Sequence, residues 1–115
     1  MKVLTLGDHV ADALRPSAVA ALEAAVSHDL RIALTFIKYA ENMAHLMTLK
    51  GTKLTRLTNT DASDYHYGTT ATGVLIRPID EHGLHLAIDD TRTGLSTVYA
   101  VAILAVGLSL KEAIK

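Results

Sequence analysis

Residues 17–51 read SAVAALEAAVSHDLRIALTFIKYAENMAHLMTLKG. This stretch decides the fold class, because its apolar side chains recur every three or four residues and therefore lie on one stripe of an α-helix. The stripe consists of Val19, Leu22, Val26, Leu30, Ala33, Ile37, Ala40, Ala44 and Met47. We predict an amphipathic helical region over residues 17–50.

Signals at both ends of this region favour the helix. Pro16 disfavours helical backbone in the residue before it, Ser17 is a suitable N-cap, and Gly51 suits a left-handed C-cap. An unbroken helix of this length would measure about 50 Å, which is too long for so small a protein to cover. We place a break at residues 27–29, Ser-His-Asp, because serine and aspartate favour caps over helix interiors. The result is a helical hairpin or a long kinked helix.

A strand is the alternative to helix for residues 30–37, because apolar side chains also alternate there in the manner of a strand.

The segments after the helical region predict strands and loops. Residues 53–59 alternate leucines with polar residues, which indicates a strand, and the polar residues 60–72 indicate an exposed loop. Residues 73–79 and 84–88 flank a turn-rich tetrapeptide and predict an antiparallel hairpin.

The C-terminal third completes the predicted fold. Pro78 predicts an edge position for its strand, because proline cannot donate to a central ladder. Residues 93–106 are apolar on nearly every face and predict a second helix, and residues 109–112 form a capping-box pattern. The fold class is α+β in a single domain of residues 1–115. It comprises an N-terminal helical hairpin or long kinked helix, a two- to three-stranded antiparallel sheet and a C-terminal apolar helix.

Composition excludes several classes of protein. Half of the 115 residues are hydrophobic, so the chain can bury a core, and the formal net charge of −1 is not that of a dedicated nucleic-acid binder. The chain contains no cysteine, which excludes disulfides and thiolate metal sites and makes the cytoplasm the expected location. The first residues do not resemble a secretory signal, and the uncharged run 93–110 is short for a membrane span. We expect neither nucleic acid nor a membrane as a partner.

The start of the predicted C-terminal helix is the best candidate for a ligand site. Arg92, Thr93 and Ser96 would present a guanidinium, hydroxyls and free amides together, a combination that binds phosphate groups. His85, Tyr67 and His66 are candidates to line the same site. The simpler interpretation is that Asp90, Thr91 or Thr93 only caps the helix.

Other chemistry has weaker support in the sequence. The histidines have no recognised spacing of metal ligands, and no glycine elbow surrounds a serine. No Walker loop or dinucleotide fingerprint occurs. We therefore assign no catalytic residue, no metal and no cofactor.

Two functions follow from these patterns. The first is a small non-enzymatic interaction or regulatory protein, such as an inhibitor, an adaptor or a virus-encoded regulator. It would act as a homo-oligomer, most simply a homodimer, because more apolar helix is specified than two or three strands can cover. The alternative is a binder of a nucleotide or another phosphorylated small molecule, or a small enzyme, with its site at Arg92.

Overall fold

A computed structural model of the chain describes residues 1–57, 64–89 and 91–114. The helices are α1 (Asp8–Ala13), α2 (Pro16–Ala20), α3 (Ala24–Tyr39), a 3₁₀ helix (Met43–Thr48), α4 (Arg92–Leu95) and α5 (Leu110–Ala113). The strands are β1 (Lys2–Thr5), β2 (Lys53–Arg56), β3 (Tyr65–Gly68), β4 (Gly73–Pro78) and β5 (Ala100–Val106). The predicted α+β class is confirmed.

The sheet is larger than the sequence indicated. Its five strands lie in the order β1-β5-β4-β3-β2, with β1 parallel to β5 and all other pairs antiparallel. The prediction of a two- to three-stranded antiparallel sheet is therefore wrong in number and in type. The parallel pair joins the first strand of the chain, β1, to the last, β5. Strands β2, β3 and β4 and most of the helices lie between them in the sequence.

One face of the sheet, the helical face, packs against α3 and the shorter helices. Tyr65, Tyr67, Val74, Ile76, Val101 and Ile103 project from it and share one core with Leu30, Ala33 and Ile37 of α3. The other face, the back face, carries Leu4, Ala102 and Arg77 side by side on β1, β5 and β4. Alternate residues of each strand thus serve two different environments.

The long helical region is divided at a different place from the one predicted. Helix α2 ends at Ala20 and α3 begins at Ala24, so the break precedes residues 27–29. Ser27 lies inside α3, where it is buried and its amide donates to the Glu23 carbonyl at 2.8 Å. Because the helical ladder satisfies this backbone, the serine does not need to act as a cap. Residues 30–37 are helical, so the strand alternative is excluded.

The predicted C-terminal apolar helix is wrong. Residues 100–106 form β5, which lies between β1 and β4. Val101 and Ile103 enter the helical core, whereas Ala100 and Ala102 are buried on the back face. A strand buried on both faces has an unbroken apolar run, and such a run has no period that would distinguish it from a buried helix.

The predicted exposed loop at residues 60–72 contains a buried strand instead. Tyr65, His66 and Tyr67 of β3 are all buried, and β3 lies between β2 and β4. Residues 58–63 lie outside the described part of the chain. The strand at Lys53–Arg56 is confirmed within the predicted range 53–59, whose last two residues are also outside it.

The predicted hairpin after residue 72 is confirmed only in its first arm. Strand β4 is present, but residues 84–88 form no strand and contribute one isolated bridge, between His85 and Ile79. Pro78 is not on an edge, since β4 pairs on both sides. Proline is tolerated there because the Ile79 amide donates to the Ala100 carbonyl, so the nitrogen of Pro78 faces away from β5.

One local prediction at a cap is confirmed, and a second is confirmed in part. Ser109 and Glu112 form a reciprocal capping box at the start of α5. Gly51 has the expected left-handed conformation, with a φ of 89°, but it lies in the turn before β2, and the C-cap of the 3₁₀ helix is Leu49. None of the helices in the described residues is both long and apolar enough to span a bilayer.

Candidate functional site

The start of α4, where the sequence places a phosphate site, is a single helical turn. Thr91 caps it by accepting a hydrogen bond from the Gly94 amide at 3.0 Å, as the simpler interpretation of this segment predicted. The Ser96 hydroxyl donates to the Thr93 carbonyl at 2.7 Å, so its proton is used within the turn. Arg92 is exposed and shares with Ser96 a surface pocket of about 340 Å³ that also contains Glu41. That carboxylate opposes the binding of an anion.

The aromatic candidates of the sequence prediction are part of the sheet. Tyr67 is fully buried on the helical face, and its hydroxyl lies 2.7 Å from the Thr52 hydroxyl. Burial raises the pKa of Tyr67 above its ordinary value, so this side chain is neutral at physiological pH. His66 points to the back face, where its Nε2 lies 2.8 Å from the Leu108 carbonyl oxygen. His85 is exposed beyond the turn that follows β4.

Only some of the predicted site residues therefore lie close together in the structure. Arg92 and Ser96 share a pocket, and Thr93 belongs to the same turn. His66 and Tyr67 are neighbours on β3, but they project to opposite faces of the sheet and both are buried. For residues 1–57, 64–89 and 91–114, no three His, Asp or Glu side chains come together as metal ligands.

The back face contains a charged pair that the sequence did not indicate. Asp64 and Arg77 form two hydrogen bonds, Nε to Oδ1 at 2.7 Å and a terminal nitrogen to Oδ2 at 3.1 Å. The carboxylate is buried, and its hydrogen bonds raise the pKa of Arg77. Because the two residues face each other across β3 and β4, the pair fixes the register of these strands. Its role is structural.

A groove of about 440 Å³ lies between α3 and the turn that leads into β2. Ile32 and Phe36, both half-buried, form its apolar floor, and Arg31 and Lys50 are exposed at its rim. The remaining lining residues are His28, Asp29, Thr35, Gly51, Thr52 and Thr69. This groove combines apolar surface with exposed cations.

The opposite end of the sheet has a second exposed feature, the β1 edge. In the part of the chain that the structure describes, β1 pairs with β5 alone, and Leu4 and Leu6 beside this edge are 38% and 47% exposed. Leu84 is 65% exposed, and Gly83 next to it lies close to Leu4: a Cβ at Gly83 would be 3.7 Å from Leu4 Cδ1. We call Leu4, Leu6 and Leu84 the leucine patch.

Sequence patterns contained partial signals for both features. Residues 2–6, Lys-Val-Leu-Thr-Leu, are compatible with a short strand, but nothing in them indicates that the strand lies at an edge of a sheet. Arg31 lies outside the apolar stripe of the predicted helix and is therefore compatible with a position facing solvent, but its place in one groove with Lys50 depends on how α3 packs. Comparison of the chain with protein-family models, curated proteins and solved structures finds no match, so the geometry alone supports the functional assignments.

Proposed function

We propose that this chain is a non-enzymatic interaction protein that acts as a homodimer. The observation that carries the proposal is the unpaired β1 edge with the leucine patch beside it. Most of the apolar stripe from which the sequence suggested self-association is buried in the protein's own core, although Leu22 and Met47 at its ends are exposed. Support for assembly therefore comes from the sheet edge.

The backbone of β1 offers unpaired groups to a second strand. The amides of Lys2 and Leu6 donate to the Tyr99 and Ile103 carbonyls, at 3.0 Å each. Because backbone groups alternate in direction along a strand, those of Val3 and Thr5 point away from β5. Of the devices that protect an edge from pairing with another chain, strand β1 has neither a proline nor a bulge, and its one charged residue is Lys2, at the first position of the strand.

A second copy of the chain fits this edge by symmetry. Two β1 strands in antiparallel register centred on Leu4 would pair Val3 of each copy with Thr5 of the other, and each such pair exchanges two backbone hydrogen bonds. Leu4 then lies opposite Leu4 of the second copy, with the rest of the leucine patch beside it. An isologous contact of this kind closes as a twofold dimer.

The free edge of β2 is a poorer candidate for the same contact. Strand β2 reads KLTR, so antiparallel self-pairing would bring Lys53 and Arg56 of two copies together. Like charges opposed across strands are destabilising. The β1 edge is therefore better suited than the β2 edge to pairing with a second copy of the chain.

The phosphate-site hypothesis has less support from the geometry. Its helix is one turn long, the Ser96 hydroxyl donates within the turn, and Glu41 shares the pocket with Arg92. We therefore place the dimer first.

Sedimentation equilibrium over a series of protein concentrations tests the dimer, with the variant Leu4→Glu. We expect wild-type protein to dimerise and the variant to dissociate at least about 30-fold more readily, because two leucine contacts of roughly 1 kcal/mol each are lost and two carboxylates are opposed.

Met47→Glu is the matched control, since Met47 is 54% exposed and its 3₁₀ helix contacts β2, at the other end of the sheet. Its dissociation constant should stay within about twofold of the wild-type value. A wild-type protein that is monomeric throughout, or equal dissociation of both variants, would contradict the proposal.

A further inference from the structure

The groove between α3 and β2 carries an excess of positive charge. Among its lining residues, Arg31 and Lys50 are cationic, whereas Asp29 is the one carboxylate. Asp29 accepts a hydrogen bond from the Thr69 hydroxyl at 3.2 Å. Within the described residues neither Arg31 nor Lys50 forms an ion pair, so both cations are available to an acidic partner. Complementary charge of this kind selects partners and speeds their association.

The floor of the groove is apolar and suits contact with apolar side chains of a partner. Ile32 and Phe36 lie one helical turn apart on α3, beside the stripe that enters the core, and remain partly accessible. A ligand that carries only charge would leave this surface in water. The groove therefore suits a partner with both carboxylates and apolar groups.

The groove opens at the start of a free strand edge. Thr52 lines it and leads directly into β2, whose one strand partner among the described residues is β3. The Leu57 amide donates to the Asp64 carbonyl at 2.9 Å, so by alternation the backbone groups of Leu54 point away from β3. An extended segment that pairs with Leu54 would direct alternate side chains into the groove, as in recognition by strand addition.

We propose that this groove binds an extended acidic peptide segment of a partner protein. The peptide adds a strand beside β2, an apolar side chain rests on Ile32 and Phe36, and flanking carboxylates meet Arg31 and Lys50. The site lies at the opposite end of the sheet from β1. It therefore does not depend on the dimer, and either proposal can fail alone.

The test begins with selection of peptides from a random library displayed on phage, with the full chain as bait. We expect enriched peptides that alternate Asp or Glu with apolar residues. In fluorescence polarisation with one labelled enriched peptide, Arg31→Glu/Lys50→Glu should weaken binding about 10-fold or more. NMR amide shifts on binding should include Leu54 and the groove residues of α3.

Lys38→Glu/Lys111→Glu is the matched control, because it makes the same change in net charge at exposed residues outside the groove. Its affinity should stay within about twofold of the wild-type value. If circular dichroism shows that the charge reversal disturbs folding, Arg31→Gln/Lys50→Gln should give a smaller loss of affinity in the same direction.

Several outcomes would overturn the proposal. They are the absence of enriched peptides, enrichment of basic or uncharged ones, equal loss of affinity in both double variants, and shifts elsewhere on the surface. A separate titration with octanoate distinguishes a small amphiphilic anion. If octanoate shifts the groove amides and no peptide does, the occupant is a small molecule and the peptide proposal is wrong.

Discussion

At the scale of single residues, the close contact between the His66 ring of β3 and Gly73 of β4 explains why β4 begins with a glycine. The ring of His66 lies over Gly73, where a Cβ atom would come within 2.8 Å of Nε2 and would also meet the carbonyl oxygen of Tyr67. Only glycine leaves this space. The histidine that the sequence suggested as a pocket residue is thus packed against backbone, with its ring nitrogen held by the Leu108 carbonyl.

Tyr67 gives a prediction about pH at the same scale. Burial raises its pKa in the folded state above the ordinary value of 10.0, so ionisation is disfavoured while the chain is folded. The associated stability is fully present below pH 10 and is lost as the pH rises through the higher folded pKa. We expect the free energy of unfolding, measured in urea between neutral and strongly alkaline pH, to fall less steeply in Tyr67→Phe than in the wild type.

Tyr39→Phe serves as the control for this comparison, since Tyr39 is 72% exposed. Its alkaline dependence should match that of the wild type. An equally steep decline in Tyr67→Phe would show that other groups cause the alkaline loss of stability.

At the scale of elements, the strands are held together by apolar contacts on the helical face and by polar pairing on the back face. The core side chains of β3, β4 and β5 pack beneath α3. On the back face, the Asp64–Arg77 pair joins β3 to β4, with the carboxylate almost completely buried. A buried ion of this kind is stable only with its partner in place.

Removal of one charge from this pair should destabilise the sheet strongly. We expect Asp64→Asn to lower the free energy of unfolding by about 2 kcal/mol, because the two charge-assisted hydrogen bonds with Arg77 are lost or weakened. The matched control is Asp12→Asn, which breaks the Asp12–Arg15 pair, whose side chains are 61% and 72% exposed. That change should cost less than about 1 kcal/mol. Urea denaturation measures both, and similar values for the two variants would contradict a structural role of the Asp64–Arg77 pair.

At the scale of the whole molecule, the two proposed interaction surfaces lie at opposite ends of one sheet. Its five strands separate the axes of β1 and β2 by about 19 Å at the usual spacing of 4.8 Å. A dimer through β1 would therefore extend the sheet and leave a groove near each outer edge. The radius of gyration of one chain, 13.0 Å, is that of a compact protein of this length.

This arrangement predicts that dimerisation and peptide binding are independent. In isothermal titration with an enriched acidic peptide, wild-type protein and Leu4→Glu should each bind one peptide per chain, with dissociation constants that agree within about twofold. The physical reason is that Leu4 and the groove share no residue. One peptide per two chains, or a loss of affinity in Leu4→Glu, would indicate a binding site formed at the dimer interface.

The sequence by itself determined the features that depend on neighbouring residues. Helical spacing predicted the buried stripe of α3, including Leu30, Ala33 and Ile37, and the capping box at Ser109 and Glu112 identified α5. The α+β class followed from the same local signals. Each of these features is set by interactions within a few positions of the chain, so its pattern is visible in one dimension.

Only the tertiary structure decided which segments are central. Residues 100–106 have no period because both faces of β5 are buried, and the polar segment around His66 became a core strand because distant partners satisfy its side chains. The same packing covered the middle of the helical stripe, left β1 and β2 as edges, and placed Arg31 and Lys50 in one groove. Such contacts join residues far apart in the chain, and no local pattern records them.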